Sequence, residues 1–151
     1  PKIKINGSLA YCSQKPWIMS GTVNKIFYFF SHKTNKNWKL PFIIHVYKIF
    51  KNIKQRVINI NRKKGINLSG GQKARISLAR ALYSDKDIYL LDDILSAVDV
   101  HVGRFIMEET ILKYLKYKTV IMPTHAIKYL NRADNIIIMK KGKIIIQGSY
   151  K

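Results

Sequence analysis

The chain of 151 residues is 47% hydrophobic, which suits one domain with a hydrophobic core and excludes a disordered tail. No apolar run reaches the roughly 18 residues that a membrane-spanning helix needs, and the single cysteine, Cys12, excludes an intrachain disulfide. The net charge is +20, but the basic residues form no recognised nucleic-acid motif, so we expect no nucleic-acid partner.

The first half of the chain predicts a strand, a loop and a long helical region. Residues 7–13 predict a short buried strand, and residues 16–22, which include a proline, a glycine and Trp17, predict a loop. Residues 23–60 are mixed, aromatic and lysine-rich, and we interpret them as mostly helical with a break at Pro41.

The second half of the chain alternates helices and strands. In chain order these are a helix at 72–83, a strand at 88–91, a helix at 102–117, a strand at 119–122, a short helix at 126–132 and a hairpin of strands at 136–139 and 143–147. The predicted inward positions of the two longer helices are Ala74, Ile76, Leu78, Ala79, Leu82 and Tyr83, then Phe105, Ile106, Ile111, Leu112 and Leu115. This alternation predicts an α/β fold with a largely parallel sheet.

A Ser-Gly-Gly turn opens the first of these helices, within the sequence Leu68–Gln72. Ser69 can cap the helix, while Gly70 and Gly71 carry no Cβ and let the backbone come close to an anion. The N–H groups and the positive end of the helix dipole then face that anion. The turn therefore predicts a phosphate contact, although such a turn can also be only a helix cap.

Paired carboxylates, Asp92 and Asp93, follow the apolar strand at 88–91. A buried strand followed by acids places a metal-directed carboxylate at the edge of a parallel sheet. We expect Asp92 to hold Mg²⁺, directly or through water, and Asp93 to lie near a water that attacks a phosphate. The alternative is a pair of surface acids. His125, at the end of the next strand, could donate a hydrogen bond to a terminal phosphate or be incidental.

These residues occur in the order and approximate spacing of the motifs of an ABC transporter nucleotide-binding domain, and the chain resembles that family over most of its length. The individual resemblances are the Q-loop glutamine at Gln14, the signature motif at Leu68–Gln72, Walker B at Ile88–Asp93, the D-loop at Ser96–Asp99 and the switch histidine at His125. Residues 10–18 and 92–103 are similar to the C subfamily, the multidrug-resistance-associated type, and specifically to its first nucleotide-binding domain.

For the fold, the resemblance implies an α/β, P-loop NTPase (RecA-like) core of the ABC ATPase type. Residues 1–21 and 85–151 would belong to this core, and residues 22–84 to a helical subdomain that carries the signature motif. The implied function is ATP binding and hydrolysis on the cytoplasmic face of an integral membrane transporter, coupled to export of a substrate. The implied partners are a second nucleotide-binding domain, in a head-to-tail dimer, and the transmembrane domains of the same transporter.

The resemblance also implies a role for each motif residue, with ATP and Mg²⁺ as cofactors. The residues implied to bind ATP are Ser69, Gly70, Gly71, Gln72 and Asp99. The implied catalytic residues are Asp93, His125 and Gln14, and the implied metal ligands are Asp92 and Gln14. In the family's dimer, the Ser-Gly-Gly turn would contact a nucleotide held mainly by the partner domain. The carboxylates would serve the nucleotide of their own domain.

Three features depart from the family pattern. No Gly-x-x-x-x-Gly-Lys-Ser/Thr loop occurs in the chain, and we expect this Walker A loop upstream of Pro1, because residues 1–7 resemble the stretch that follows it. The usual catalytic Glu is replaced by Asp93, whose shorter side chain implies a weak hydrolytic site. Residues 24–64 do not resemble the helical subdomain, and we hypothesise that they are degenerate or read in a shifted frame, which sequencing of the transcript would decide.

Other functional classes remain open from the sequence. A soluble ABC ATPase that acts in translation or on DNA would share the motifs, although the Trp17 loop and residues 92–103 favour a transporter. A chain without a Walker A loop could also be a non-enzymatic interaction module, or a non-functional remnant without ATPase activity. Nucleic-acid binding is the charge-based alternative, because residues 1–84 carry no carboxylate.

Overall fold

The computed structural model of the chain describes residues 2–18, 21–22, 59–60 and 69–150. The strands are β1 (Leu9–Cys12), β2 (Gly21–Thr22), β3 (Asn59–Ile60), β4 (Ile88–Leu91), β5 (Thr119–Ile121), β6 (Ile136–Lys140) and β7 (Lys143–Gly148). The helices are α1 (Gly70–Tyr83) and α2 (Val100–Phe105), which continues as a π-helix over Ile106–Tyr114, and a 3₁₀ helix covers Ile127–Arg132. No helix in this described part of the chain is long and apolar enough to cross a membrane.

The central sheet is parallel and has the strand order β1-β4-β5. Leu9 lies opposite Ile88 in the register of β1 and β4, and Ile88 lies opposite Thr119 in the register of β4 and β5. Parallel neighbours need a crossover connection, which is usually helical. Helix α1 precedes β4, and α2 with its π-helix lies between β4 and β5. The predicted α/β fold with a parallel sheet is therefore confirmed for these strands.

One face of this sheet packs against the helices and forms the core. Ala10 and Cys12 on β1, and Tyr89 and Leu91 on β4, point to this face and are buried. Tyr11 points to the opposite face and is exposed, as the two-residue period of a strand requires. The other buried members of the core cluster come from the helices and the loops beside them, and are Leu78, Ala81, Leu82, Ile94, Ile106 and Leu115.

Helix α1 begins at Gly70 rather than at the predicted Gln72, and it ends at Tyr83 as predicted. The predicted inward positions of this helix are buried, except that Tyr83 is half-buried. Ser77 is also buried, which its polar side chain did not predict. Its hydroxyl accepts a hydrogen bond from the Cys12 thiol at 3.4 Å, so the polar atom keeps a partner inside the core.

The helix predicted at 102–117 has two geometries, because α2 passes into the π-helix. The N–H of Leu115 donates to the C=O of Thr110 at 2.9 Å, which is an i→i+5 bond. Ile106 and Leu115 are buried as predicted, but the other predicted inward positions are only half-buried, and Met107 and Thr110 are buried. The wider π-turn rotates the buried face away from the positions that a 3.6-residue period predicts.

Strands β2 and β3 form an antiparallel pair in which Gly21 lies opposite Ile60. The loop predicted at 16–22 and the helical region predicted at 23–60 are therefore wrong at these strand residues. A pairing between distant segments leaves no local periodic signal, so local patterns could not reveal it. The rest of the helical prediction for 23–60, and Leu68 of the predicted signature motif, lie outside the described residues.

Strands β6 and β7 form the hairpin that the sequence predicted. Lys141 and Gly142 occupy its turn with φ of 50° and 74°, the left-handed conformation that two-residue hairpin turns favour. The predicted strand at 119–122 and the predicted short helix at 126–132 are also present, as β5 and the 3₁₀ helix. The second half of the chain thus follows its sequence pattern closely.

Candidate functional site

The carboxyl ends of β1, β4 and β5 meet at one edge of the parallel sheet, and predicted site residues follow these ends. Asp92, directly after β4, donates its N–H to the C=O of Cys12 at 2.9 Å. Asp93 donates its N–H to the C=O of Pro123, beyond the end of β5, also at 2.9 Å. These bonds join the end of β1 and the segment after β5 to the segment after β4. In open α/β sheets this edge is where ligands bind.

Gln14 and Asp93 are in direct contact at this edge. Gln14 Nε2 donates to Asp93 Oδ2 at 3.2 Å. Asp93 is only 7% exposed, whereas Gln14 is exposed. A hydrogen bond to a buried carboxylate restrains the orientation of both groups. Because the amide nitrogen makes this bond, the Gln14 Oε1 atom is not used by it. The structure therefore brings together two of the residues predicted to be catalytic.

The backbone of Asp93 has an uncommon conformation, with φ of 45°. Asp tolerates this left-handed region better than most residues other than Gly and Asn. Ser96 stabilises the turn, since its N–H and Oγ both donate to the Asp93 C=O, at 3.2 and 2.8 Å. The conformation aims the Asp93 side chain away from the direction that a continued strand would give it.

Asp92 has different neighbours from Asp93. It is half-buried, and the hydroxyl of Tyr11 donates to its Oδ2 at 3.4 Å, a long hydrogen bond. Desolvation raises the pKa of the Tyr11 hydroxyl, and the charge of Asp92 raises it further. The two adjacent acids are therefore held by separate partners, which allows them separate roles.

The turn that opens α1 is a capping box. Gln72 donates its N–H to Ser69 Oγ at 3.2 Å, and Ser69 donates its N–H to Gln72 Oε1 at 2.9 Å. The helix-cap interpretation is thus correct for the local structure. It does not exclude a phosphate contact, because the first N–H groups of a helix have no partner within the helix. Gly70 is exposed, and a Cβ there would meet no atom within 4 Å, so a ligand has room to approach.

The second glycine of the turn faces a loop of its own chain. A Cβ on Gly71 would lie 2.7 Å from the C=O of Ala97. Arg75 Nε donates to the Gly71 C=O at 3.1 Å. Asp99 caps α2, since its Oδ1 accepts from the N–H of Val102 at 3.0 Å. This bond, assisted by the charge of Arg75, holds the pKa of Asp99 below its ordinary value. The predicted ATP-binding residues of the turn and the loop are therefore neighbours.

His125 lies in the segment after β5 and is exposed. Its C=O accepts from the N–H of Ile127 at 3.0 Å, which places it in the turn that opens the 3₁₀ helix. Pro123, two residues earlier, accepts the N–H of Asp93. The structure thus puts His125 in the segment bound to Asp93, and its contact with a phosphate stays a prediction.

The oxygen donors at this edge suit Mg²⁺ in chemical type. Asp92 supplies a carboxylate and Gln14 an amide oxygen, both hard ligands. No group of three or more His, Cys, Asp or Glu side chains is placed to hold a metal ion in the described ranges. Mg²⁺ in proteins is usually held by one or two carboxylates, water and substrate phosphates.

Sequence reasoning missed two residues at this site, Tyr11 and Arg75. Tyr11 is one residue from the buried Cys12 on β1, so the alternation of a strand could have placed it on the face away from the core. Arg75 lies four residues after Gly71, and residues at this spacing share a helix face. The sequence spacing therefore also predicts that Arg75 can contact the turn.

Comparisons with known proteins identify the family that the sequence matches. The family model described as ABC transporter matches residues 2–96. ABC transporter C family member 9 of Arabidopsis thaliana is 40% identical over 153 residues, covering 99% of the chain and 10% of the relative. ABC transporter C family member 6 of the same plant is 43% identical over 154 residues, covering 98% and 10%. ATP-binding cassette sub-family C member 4 of Homo sapiens is 40% identical over 149 residues, covering 98% and 11%.

These matches test the resemblance that the sequence motifs indicate. The relatives are C-family members, so the similarity to that subfamily is confirmed. The chain spans about a tenth of the length of these relatives, at 10% to 11%. The P-loop NTPase fold of the matched family agrees with the parallel α/β sheet. Since the family model covers more than half of the residues, the chain belongs to the ABC transporter family.

Proposed function

We propose that the chain forms part of an ATP-binding and ATP-hydrolysing domain that couples ATP to export of a substrate across a membrane. The observation that carries this proposal is the 3.2 Å contact of Gln14 with the buried carboxylate of Asp93, beside Asp92 at the carboxyl edge of the sheet. A structural acid pair at a strand end would not need an amide from a different strand end. The C-family relatives, which are named as transporters, support the proposal.

In this proposal, Asp92 and Gln14 would hold Mg²⁺ beside the nucleotide of the same domain. The ion would supply charge neutralisation on the phosphates. Asp93 orients the attacking water and accepts a proton from it. Gln14 holds the Asp93 carboxylate in place by the hydrogen bond between them. His125 donates a hydrogen bond to the terminal phosphate. Because Asp93 is shorter than the usual Glu, hydrolysis at this site is slow.

The partner-facing half of the proposal concerns the start of α1. Ser69, Gly70, Gly71 and Gln72, together with Asp99, contact the nucleotide held by a second nucleotide-binding domain. The exposed Gly70 and the N-terminal end of a helix of 14 residues support this role, because such an end attracts anions. The head-to-tail arrangement makes each nucleotide a bridge between the two domains.

The proposal also places the chain in a larger protein. Residues 1–21 and 85–151 belong to the RecA-like core, and residues 22–84 to the helical subdomain. Transmembrane domains of the same transporter hold the whole on the cytoplasmic face of a membrane. Trp17, which is 62% exposed and lies near Gln14 in the chain, offers an apolar contact toward those domains.

The test measures how many Mg·ATP molecules the complete protein that contains this chain retains. Asp92→Asn removes the charge that holds the cation but keeps the side-chain size, so we expect one Mg·ATP fewer per protein. Asp134→Asn, at an exposed position, is the matched control and should retain the full number. An unchanged number in a folded Asp92→Asn protein would contradict the proposal.

A further inference from the structure

Gly71 makes a contact that any other residue would break. A Cβ at this position would lie 2.7 Å from the backbone oxygen of Ala97, closer than real Cβ atoms approach an oxygen. The atom that it would meet belongs to the backbone and cannot rotate away as a flexible side chain could. Any substitution of Gly71 must therefore move the loop around Ala97 or the start of α1.

The backbone conformation of Gly71 does not itself call for glycine. Gly7 and Gly142 have positive φ, whereas Gly71 lies in the first turn of α1 with ordinary helical φ. Glycine weakens a helix relative to alanine, so its presence there needs another reason. The neighbouring Gly70 has no atom within 4 Å of its Cβ position. The close approach of Ala97 supplies the reason at Gly71 only.

The loop that contains Ala97 is also tied to the rest of the molecule on its other sides. Val98 packs against the core cluster, and Asp99 Oδ1 accepts from the first turn of α2 at 3.0 Å. On the side of α1, the oxygen of Ala97 lies 2.7 Å from the Cβ position of Gly71, and Arg75 Nε, on the same helix, binds the Gly71 C=O at 3.1 Å. The loop thus joins α1 to α2.

We propose that Gly71 is a positioning residue that seats the loop Ser96–Asp99 against the first turn of α1, so that turn and loop present one rigid surface. Gly70, in contrast, leaves room for a ligand. The two adjacent glycines therefore differ in role. Gly71 allows the loop of the same chain to pack closely, and Gly70 leaves space for the nucleotide. The consequence for ATP hydrolysis rests on the proposed function, in which this surface meets the partner domain's nucleotide.

The experiment is hydrogen exchange of the complete protein without nucleotide, read at the amides of Val102 and Gly103, which bond to Asp99. Gly71→Ala should accelerate their exchange about tenfold, because overpacking weakens the seat of the loop. Gly70→Ala is the matched control and should leave it unchanged. Unchanged exchange in Gly71→Ala would overturn the inference, whatever its ATPase activity.

The KM for ATP hydrolysis, measured on Gly71→Ala with and without a second substitution, separates this inference from the proposed function. We expect Gly71→Ala to raise the KM for ATP, and Ala97→Gly, which frees the loop backbone to shift, to restore it partly. If Gly71→Ala exchanges faster but its KM for ATP is unchanged, the positioning role of Gly71 is supported. That result would count against the proposed contact of this surface with the partner domain's nucleotide. A raised KM that Ala97→Gly does not lower at all would overturn the positioning role.

A second variant decides the case if Gly71→Ala does not assemble. Arg75→Lys keeps the positive charge but lacks the Nε–H that binds the Gly71 C=O. Loss of that hydrogen bond should accelerate exchange at Val102 about threefold. Exchange equal to that of the unsubstituted protein would overturn the inference.

Discussion

The side-chain amide of Gln14 donates to the carboxylate of Asp93 at 3.2 Å across 79 positions of the sequence. The bond links the segment after β1 to the segment after β4, and Asp93 binds the segment after β5 through its N–H. Asp93 is therefore the point at which the three strand ends meet. A substitution at Gln14 or Asp93 should therefore weaken the contacts between the strand ends, not only those of one side chain.

The shorter acid at position 93 gives a prediction about the rate of hydrolysis. Asp93→Glu lengthens the side chain to the family's usual residue, and we expect single-site ATP turnover of the complete protein to rise about tenfold. The left-handed φ of 45° suits Asp better than Glu, so stability should fall by about 1 kcal/mol. Turnover and thermal unfolding measured on the same sample separate the two effects.

Asp93→Asn is the control for this change. It fits the same left-handed conformation but carries no charge, so it should unfold at a temperature close to that of the unsubstituted protein while its turnover falls. If Asp93→Glu is folded and hydrolyses ATP no faster than the unsubstituted protein, the shorter side chain of Asp93 does not limit hydrolysis at the proposed site.

A second prediction concerns acid stability at the opposite edge of the sheet. The N–H and Oγ of Ser8 both donate to Asp87 Oδ2, at 2.8 and 2.7 Å. These bonds, the backbone one first, hold the pKa of Asp87 below its ordinary value. The folded pKa thus lies below the unfolded pKa, so this stabilisation is complete above the unfolded pKa and is lost as the pH falls through the folded pKa.

During acid titration, the amino-terminal ends of β1 and β4 should therefore separate at a higher pH in Ser8→Ala than in the unsubstituted protein. Hydrogen exchange of the β1 amides measures this separation. The backbone bond remains, so we expect a partial shift. Ser149→Ala, at an exposed position, should titrate like the unsubstituted protein. Equal acid sensitivity of Ser8→Ala and Ser149→Ala would show that the Ser8 hydroxyl does not stabilise the edge.

A third prediction concerns the segment that carries Gln14. Arg80 on α1 donates through Nη1 to the C=O of Trp17 at 3.0 Å, and its guanidinium lies 5.5 Å from the centre of the Trp17 ring. Arg80→Met should loosen residues 14–18 by about 1 kcal/mol, because a charged hydrogen bond and a partly exposed cation–π contact are lost. Hydrogen exchange of this segment measures the effect, which is about fivefold in rate.

Arg80→Lys keeps the charge and should lose less than Arg80→Met, since the ammonium can still approach the ring. Exchange of residues 14–18 that is the same in both variants as in the unsubstituted protein would mean that α1 does not hold this segment.

Much of the parallel sheet and its helices could be predicted from the sequence, because their patterns are local. The strand at 88–91 is present with its predicted bounds, and the buried face of α1 follows from its 3.6-residue period. The resemblance assigns the motif residues Gln14 and Asp93 to one site, and the structure brings them into contact. Periodicity and motif order carried this information without knowledge of contacts.

Features that depend on distant or irregular contacts could not be predicted. The pairing of Gly21 with Ile60 joins segments without a shared local pattern. The π-helix after α2 shifts burial toward Met107 and Thr110, which a regular helix would not do. The need for glycine at position 71 comes from the oxygen of Ala97, which approaches from another loop, so no feature of the turn itself indicates it.

The most direct test of the central claim is single-turnover ATP hydrolysis at this site, in the complete protein with the proposed second nucleotide-binding domain inactivated. Gln14→Ala removes the amide that contacts Asp93, and we predict that phosphate release slows by about tenfold or more while the protein stays folded. Gln147→Ala, on the exposed β7 strand, is the matched control and should hydrolyse at the unsubstituted rate. Equal rates for Gln14→Ala and the control would contradict the assignment of this edge as a hydrolytic site.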